Sequence, residues 1–238
     1  SSHSGAAERP GGRAGRPPGS PREGGGAMAL LLRGARRCAA AAGRPTSLGR
    51  MTAEQWPAAV RESVEYARGG GLAAMVLRQL RQQDCPSTRF GMALNLYQHG
   101  LQTATRALRN GEGEEMVVMC LLHDVCEHTV PSGHGGAAAL ILGPYLSPAN
   151  LWTLQNHELF QGYYYYHLAG MDPNARDVHR DSPHFDACAR FCELYDEPSF
   201  DPGYEAEPLE VFEPMVRSLF SREPRAQGDC AMMFEGAA

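Results

Sequence analysis

The chain has 238 residues, 43% of them hydrophobic, enough for one well-cored domain with additional tail. Residues 1–50 carry 9 Arg and 2 acids and the remainder 13 Arg and 25 acids, so the net charge of −5 hides a basic leader ahead of a mildly acidic domain, which argues against a nucleic-acid binder. All 22 basic residues are Arg, and without lysine both Schiff-base chemistry and a Walker-type phosphate loop are excluded. In chain order, residues 1–27 are Gly/Pro/Arg/Ser-rich and read as disordered. Residues 28–50 have several Arg and no acid; they resemble an organelle transit peptide, the alternative being a compositionally biased tail. A leader is therefore expected over 1–51. The protein is placed in the cytoplasm, or in a mitochondrion or plastid if that segment acts as a targeting signal. "TAEQWPAAVRESVEYARGGGLAAMVLRQLRQQ" predicts two helical stretches split by Gly69-Gly70-Gly71, an N-terminal segment over 52–87.

From residue 88 to 222 the sequence reads as helix after helix, followed by a tail over 223–238. "ALNLYQHGLQTATRALRN" has apolar residues at helical spacing and stops at Asn110-Gly111. "EEMVVMCLLHDVC" is apolar nearly all round and predicts a central buried helix running through Cys126. "GGAAALILGPYL" is a small-residue helix ended by Gly143-Pro144. "SPANLWTLQNHELFQGYYYYHLAG" opens on a Ser-Pro cap and runs to Gly170; "FDACARFCELYDEP" and "PLEVFEPMVRSLFSR" supply two more helices. No convincing strand pair is present, and the fold class is all-α. Seven cysteines at irregular spacing argue against a disulfide framework. Cys188 and Cys192 share a helix face, with core packing the first reading and metal ligation the alternative. No apolar run approaches the roughly 20 residues that span a bilayer.

The histidines carry the functional signal. Eight of nine lie between residues 99 and 184, and several fall on successive helices. A lone histidine on a helix is more often a hydrogen-bonded core residue than a ligand. His123 and Asp124 differ because they are adjacent in an all-apolar helix. Neighbouring residues diverge by about 100°, so both cannot reach solvent, and two buried polar groups need strong partners. Imidazole and carboxylate together suit Fe, Mn, Co or Zn, and a carboxylate can bridge two cations.

The order His, His-Asp, His, His, Asp on consecutive helices resembles the HD superfamily of metal-dependent proteins, an HD-domain helical bundle with a dinuclear site between its core helices. The phrases "LYQHGLQTATRALRNG", "EEMVVMCLLHDV", "HGGAAALILGPYLSPAN", "HELFQGYYYYHLAG" and "ARFCELYDEPSFDPGYEAEPLEVFEPMVRSLF" are closer to one group of bacterial HD-domain proteins. That group is similar to inositol oxygenase and to the mixed-valent diiron oxygenases that cleave 1-hydroxyphosphonates. The resemblance covers about residues 88 to 220. It implies two Fe ions, with Mn, Co, Zn or Mg as alternatives, held by His99, His123, Asp124, His134, His157 and Asp196, with Asp124 as the bridge. It favours His157 over His167 as the ligand of its helix, and Asp196 over Asp186.

Departures narrow the implication. Where inositol oxygenase carries two lysines, this chain has Glu127 and Phe200, which argues against inositol as substrate. Arg176, Arg180 and Arg190 are the basic residues that could replace the phosphonate-binding lysine, and Arg190 is taken as the substrate contact. His128 is expected to face substrate or support a ligand, with catalytic work falling to Asp124 and His128; Glu127, Tyr163 and His167 complete the expected substrate-binding set. The resemblance therefore implies an oxygenase cleaving a C–C or C–P bond of a small hydroxylated substrate with O2. The alternatives are a two-metal phosphohydrolase and, from a different class, a metal-stabilised scaffold. The expected partners are a small molecule and O2, with no nucleic acid and no membrane; a homo-oligomer is compatible with this reading.

Overall fold

The computed structural model describes residues 43–225, so the expected disorder of 1–27, most of the targeting segment and the end of the tail lie outside the described residues. The chain divides after Met51. In the first unit the described residues form one 3-10 turn, Leu48–Arg50. The second unit is helical, with no strand among the described residues, and none of its helices is long and apolar enough to cross a membrane.

Eight α-helices follow: α1 (Trp56–Tyr66), α2 (Leu72–Gln82), α3 (Leu96–Arg109), α4 (Glu114–Leu122), α5 (His134–Leu142), α6 (Pro148–Tyr165), α7 (Phe185–Phe191) and α8 (Leu209–Ser221). The glycine triplet splits α1 from α2 as a π turn, Ala67–Gly71, in which Gly70 takes φ 90°. A non-glycine residue is disfavoured there. The segment 172–184, between α6 and α7, contains a 3-10 turn, Ala175–His179, that the sequence pattern did not show.

α4 is the centre of the domain. Val117 through Leu122 are all buried, as an all-round apolar helix requires. α3 and α8 pack against it, α6 touches it, and α2 packs on α8 and α3. Val76, Leu77 and Leu80 of α2 belong to the same core as Leu121, Phe191 and Phe212. α5 packs on α6, and α6 on α7.

Caps set the starts of the helices that matter. Asn95 and Gln98 make reciprocal side-chain-to-backbone bonds at the head of α3, a capping box that places His99 one turn in. Ser147 caps α6 by accepting from Asn150 N at 3.3 Å. Glu115 of α4 accepts from Ser147 N at 2.6 Å and Asn150 Nδ2 at 2.7 Å, which ties the starts of α4 and α6 together.

Candidate metal centre

Four local devices bring the six residues together. The first two are glycines, each directly after a histidine. A Cβ on Gly100 would stand 2.7 Å from Leu121 O, and one on Gly135 would stand 2.5 Å from Leu154 O and 2.9 Å from His157 Cε1. Only glycine allows α3 to approach α4, and α5 to approach α6, this closely. These approaches bring His99 to His123 and His134 to His157, with Nε2 atoms 3.1 and 3.2 Å apart. Third, Gly133 turns with φ 87° into α5, and Glu158 accepts from Gly133 N at 3.0 Å and Gly135 N at 2.8 Å. A carboxylate at a helix N-terminus satisfies free N–H groups and meets the positive end of the dipole, so Glu158 pins the first turn of α5 beside its neighbour His157. Replacing Glu158 by Ala is expected to lower stability by about 1–2 kcal/mol, read as the shift in a urea midpoint.

The fourth device is a π turn. α7 continues into Cys192–Asp196, closed by Glu197 N donating to Cys192 O at 2.9 Å. Such wide turns recur at functional sites. Here Tyr195 and Asp196 are both buried. Tyr195 Oη donates to Glu112 and accepts from Asn110 Nδ2 at 2.6 Å, which anchors the turn to the α3–α4 connection.

The central helix is shorter than expected. α4 ends at Leu122, and residues 123–129 continue as tight turns with bonds such as Glu127 N to Asp124 O at 3.0 Å. Asp124 leaves this turn between the two histidine pairs. Its Oδ2 lies 3.3 Å from His99 Nε2 and 3.2 Å from His123 Nε2, and its Oδ1 lies 3.1 Å from His134 Nε2 and 3.2 Å from His157 Nε2. Asp196 Oδ1 completes the first set, 3.2 Å from His99 Nε2 and 3.4 Å from His123 Nε2.

With the four rings neutral, the donors and acceptors do not balance without a cation. His99, His123, His134 and His157 each turn Nδ1 to a backbone carbonyl, those of Ser199 (3.1 Å), Cys120 (2.9 Å), Pro131 (3.4 Å) and Leu154 (2.8 Å). A carbonyl only accepts, so Nδ1 carries the proton, and in a neutral ring Nε2 is then a lone pair. Four lone pairs and two carboxylates therefore converge, and buried Asp196 Oδ2 has no hydrogen-bond partner. Ligating histidines commonly donate their other N–H to just such carbonyls. Ligands at about 2.1 Å from one ion stand about 3.0–3.4 Å from each other, the spacing seen within both sets. These buried groups could hold metal ions.

Protons are the alternative counter-charge. Burial pushes His99 down, but the Asp124 and Asp196 carboxylates outweigh it and raise the ring to about 9. His134 rises to about 9 in the same way, burial being outweighed chiefly by Asp124. A histidine raised from an ordinary 6.5 to about 9 stabilises the metal-free fold fully below pH 6.5 and loses that contribution as pH rises through about 9. Chelator-treated protein should therefore show a falling Tm between pH 6.5 and 9, and metal loading at pH 7 should release protons measurable by pH-stat.

The remaining expected residues separate. Glu127 stands with Asp124 and His134, and burial together with the Asp124 carboxylate pushes it up to about 7. His128 Nδ1 lies 3.3 Å from Gln83 Nε2. Arg190, expected at the substrate, donates to Glu112 at 2.9 Å and Tyr195 Oη at 3.2 Å. Tyr163 is covered by the Arg176 guanidinium 3.7 Å from its ring centre, and His167 is exposed in the 3-10 turn Tyr166–Ala169; neither makes a hydrogen bond, ion pair or ring contact with the six residues. Arg180 pairs with Asp177 and lies over Phe185. Phe200 stacks on His99, with ring centres 4.0 Å apart and planes 10° apart. Pattern reading missed Gly100, Gly135, Glu158 and Gln83. The two glycines sit directly after ligand-type histidines, and that adjacency was the one signal available.

The site is a buried four-His, two-Asp cluster with the makings of a metal centre, in an all-helical domain. No model of a known protein family matches the chain, and no curated protein matches it.

Proposed function

We propose that the protein is a metal-dependent enzyme of the HD type with a dinuclear centre bridged by Asp124. One observation carries this reading: each Asp124 oxygen faces a different histidine pair, with Asp196 added to one of them. His99, His123, Asp124 and Asp196 would hold one ion, and His134, His157 and Asp124 the other. The second set has one protein ligand fewer, and its His134 is 11% exposed against 0–3% for His99, His123 and Asp196 of the first, although its His157 is as buried as they are and Asp124 is shared. An open position on the accessible side is what separates a catalytic site from a structural one.

The resemblance to the diiron oxygenases makes oxidative cleavage of a C–C or C–P bond in a small hydroxylated substrate the leading reaction. Iron, when bound, supplies the redox chemistry with O2. The chain's own residues bind and orient, and Glu127, beside the accessible ligands Asp124 and His134, offers a carboxylate that can accept a proton. Glu127 and Glu158 both lie on the His134 side, Glu158 Oε2 being 3.7 Å from His134 Nδ1. With Arg190 held by Glu112, a neutral hydroxylated carbon substrate suits this side better than a dianionic phosphonate. The same Glu127 favours a second reading, hydrolysis of a phosphoester with Glu127 as base for an attacking water.

Protein purified without oxygen should hold about two Fe per chain, and partial oxidation should give the low-temperature EPR signal of a coupled mixed-valent pair. A protein that takes only Zn or Mg and hydrolyses generic phosphoesters would replace the oxidative reading with the hydrolytic one. A screen of neutral polyols beside 1-hydroxyphosphonates, at equal concentration and with O2 uptake as readout, then ranks the substrates.

A further inference from the structure

The turn that carries Asp124 packs Val125 and Cys126 into the core and holds its backbone mostly by short turn bonds. It hangs from the end of α4 on bonds spanning three residues: Val125 N to Leu122 O, Glu127 N to Asp124 O and Thr129 N to Cys126 O, each 3.0 Å. A carboxylate that must present its two oxygens to two different histidine pairs tolerates little rotation of its backbone. A further anchor, on the Asp124 carbonyl itself, comes from the far end of α2.

Gln83 caps that helix and is 1% exposed. Its Nε2 donates to Asp124 O at 2.7 Å, and the same nitrogen lies 3.3 Å from His128 Nδ1. Because a peptide carbonyl only accepts, the amide must turn its NH2 this way, even though Gln83 Oε1 is then left buried and without a hydrogen-bond partner. The two amide hydrogens thus serve Asp124 O and His128 Nδ1. His128, accepting at Nδ1, carries its proton on Nε2, which faces Thr129 Oγ1 at 3.3 Å. Gln83 is itself held from behind, its carbonyl accepting from Thr88 Oγ1 at 2.6 Å. One helical turn earlier, Gln79 Nε2 makes only a long contact with Cys126 Sγ, 3.9 Å.

We infer that Gln83 is a positioning residue of the metal centre: its amide fixes the Asp124 carbonyl, and through it the carboxylate between the two histidine pairs, and sets the tautomer of His128. The inference rests on the reading of the six residues as a metal centre. A buried donor with an orphaned oxygen beside it is a costly arrangement to keep for packing alone, and an apolar residue of the same length would fill the space without that cost.

Two variants of equal length separate donation from shape. Gln83→Glu keeps the outline and places an acceptor against Asp124 O; Gln83→Met keeps the outline and removes the donor without adding charge. Gln79→Ala is the control on the same helix face. The full chain, wild type and variants, is titrated anaerobically with Co(II), reading stoichiometry and the visible d–d spectrum of the bound ions, with far-UV circular dichroism and Tm recorded alongside. Both Gln83 variants should keep the helical spectrum, lose roughly 10–100-fold in Co(II) affinity and shift the d–d bands, while Gln79→Ala should match wild type. Wild-type binding and spectrum in both Gln83 variants would overturn the inference and leave the metal centre standing. Loss of the fold in both would also overturn it, making Gln83 a residue of the fold. A wild-type chain that takes up no Co(II) or Fe would overturn the metal reading, and this inference with it.

Discussion

Asp124→Ala should leave the chain folded and strip it of both ions. The wild type is expected to hold about two per chain, and the variant none that survives desalting, with activity lost in proportion. The argument is geometric. The remaining ligands of the first set are His99, His123 and Asp196, but the second set falls to His134 and His157 alone. Two imidazoles with no carboxylate make a poor site for a hard divalent cation, and the first set loses one of its two carboxylates. Removing one member of a buried charge cluster is destabilising by several kcal/mol when it leaves uncompensated charge. Here the loss is limited, because the imidazoles can shed the protons that Asp124 now favours. Metal analysis on desalted protein, with circular dichroism to verify the fold, checks the result. A variant that kept both ions would end the assignment of Asp124 as the bridge.

Gly135→Ala carries the second large effect. The added methyl would sit 2.5 Å from Leu154 O and 2.9 Å from His157 Cε1, contacts that only a shift of α5 relative to α6 can relieve. Overpacking costs typically about 1–3 kcal/mol, and a clash with backbone cannot be relieved by a rotamer change, so the upper end is expected. The same shift parts His134 from His157. The second ion should therefore be lost while the first, between α3 and the turn after α4, is retained, giving about one ion per chain. Gly100→Ala, whose Cβ would meet Leu121 O at 2.7 Å, should do the reverse. An unequal loss from the two variants would separate the two sets experimentally; equal loss from each would show that they bind only as a unit.

Several features were open to reading from the residues alone. The apolar run before His123 announced a buried helix, and Val117 through Leu122 are buried. The six candidate ligands came from the resemblance to the HD superfamily, carried over one residue at a time, and the structure places all six within one cluster. The length of the central helix was not legible. The pattern carried it to Cys126, whereas it stops at Leu122, since a hydrophobic run does not distinguish a helix from the tight turns that extend it. Nor was the fate of the arginines. Arg190 was expected at the substrate, and its pairing with Glu112, 78 positions earlier in the chain, could not be read from the pattern.

Composition and residue order by themselves determined the helical class, the basic leader and the kinds of ligand, all of which depend on local chemistry or on the period of one helix. The division of those ligands into two sets, the direction in which each Asp124 oxygen points and the anchoring of its turn by Gln83 depend on distances between helices far apart in the chain. Those distances are set by close approaches such as Gly135 against Leu154 O, and by buried hydrogen bonds such as Gln83 Nε2 to Asp124 O, which exist only once the helices have packed.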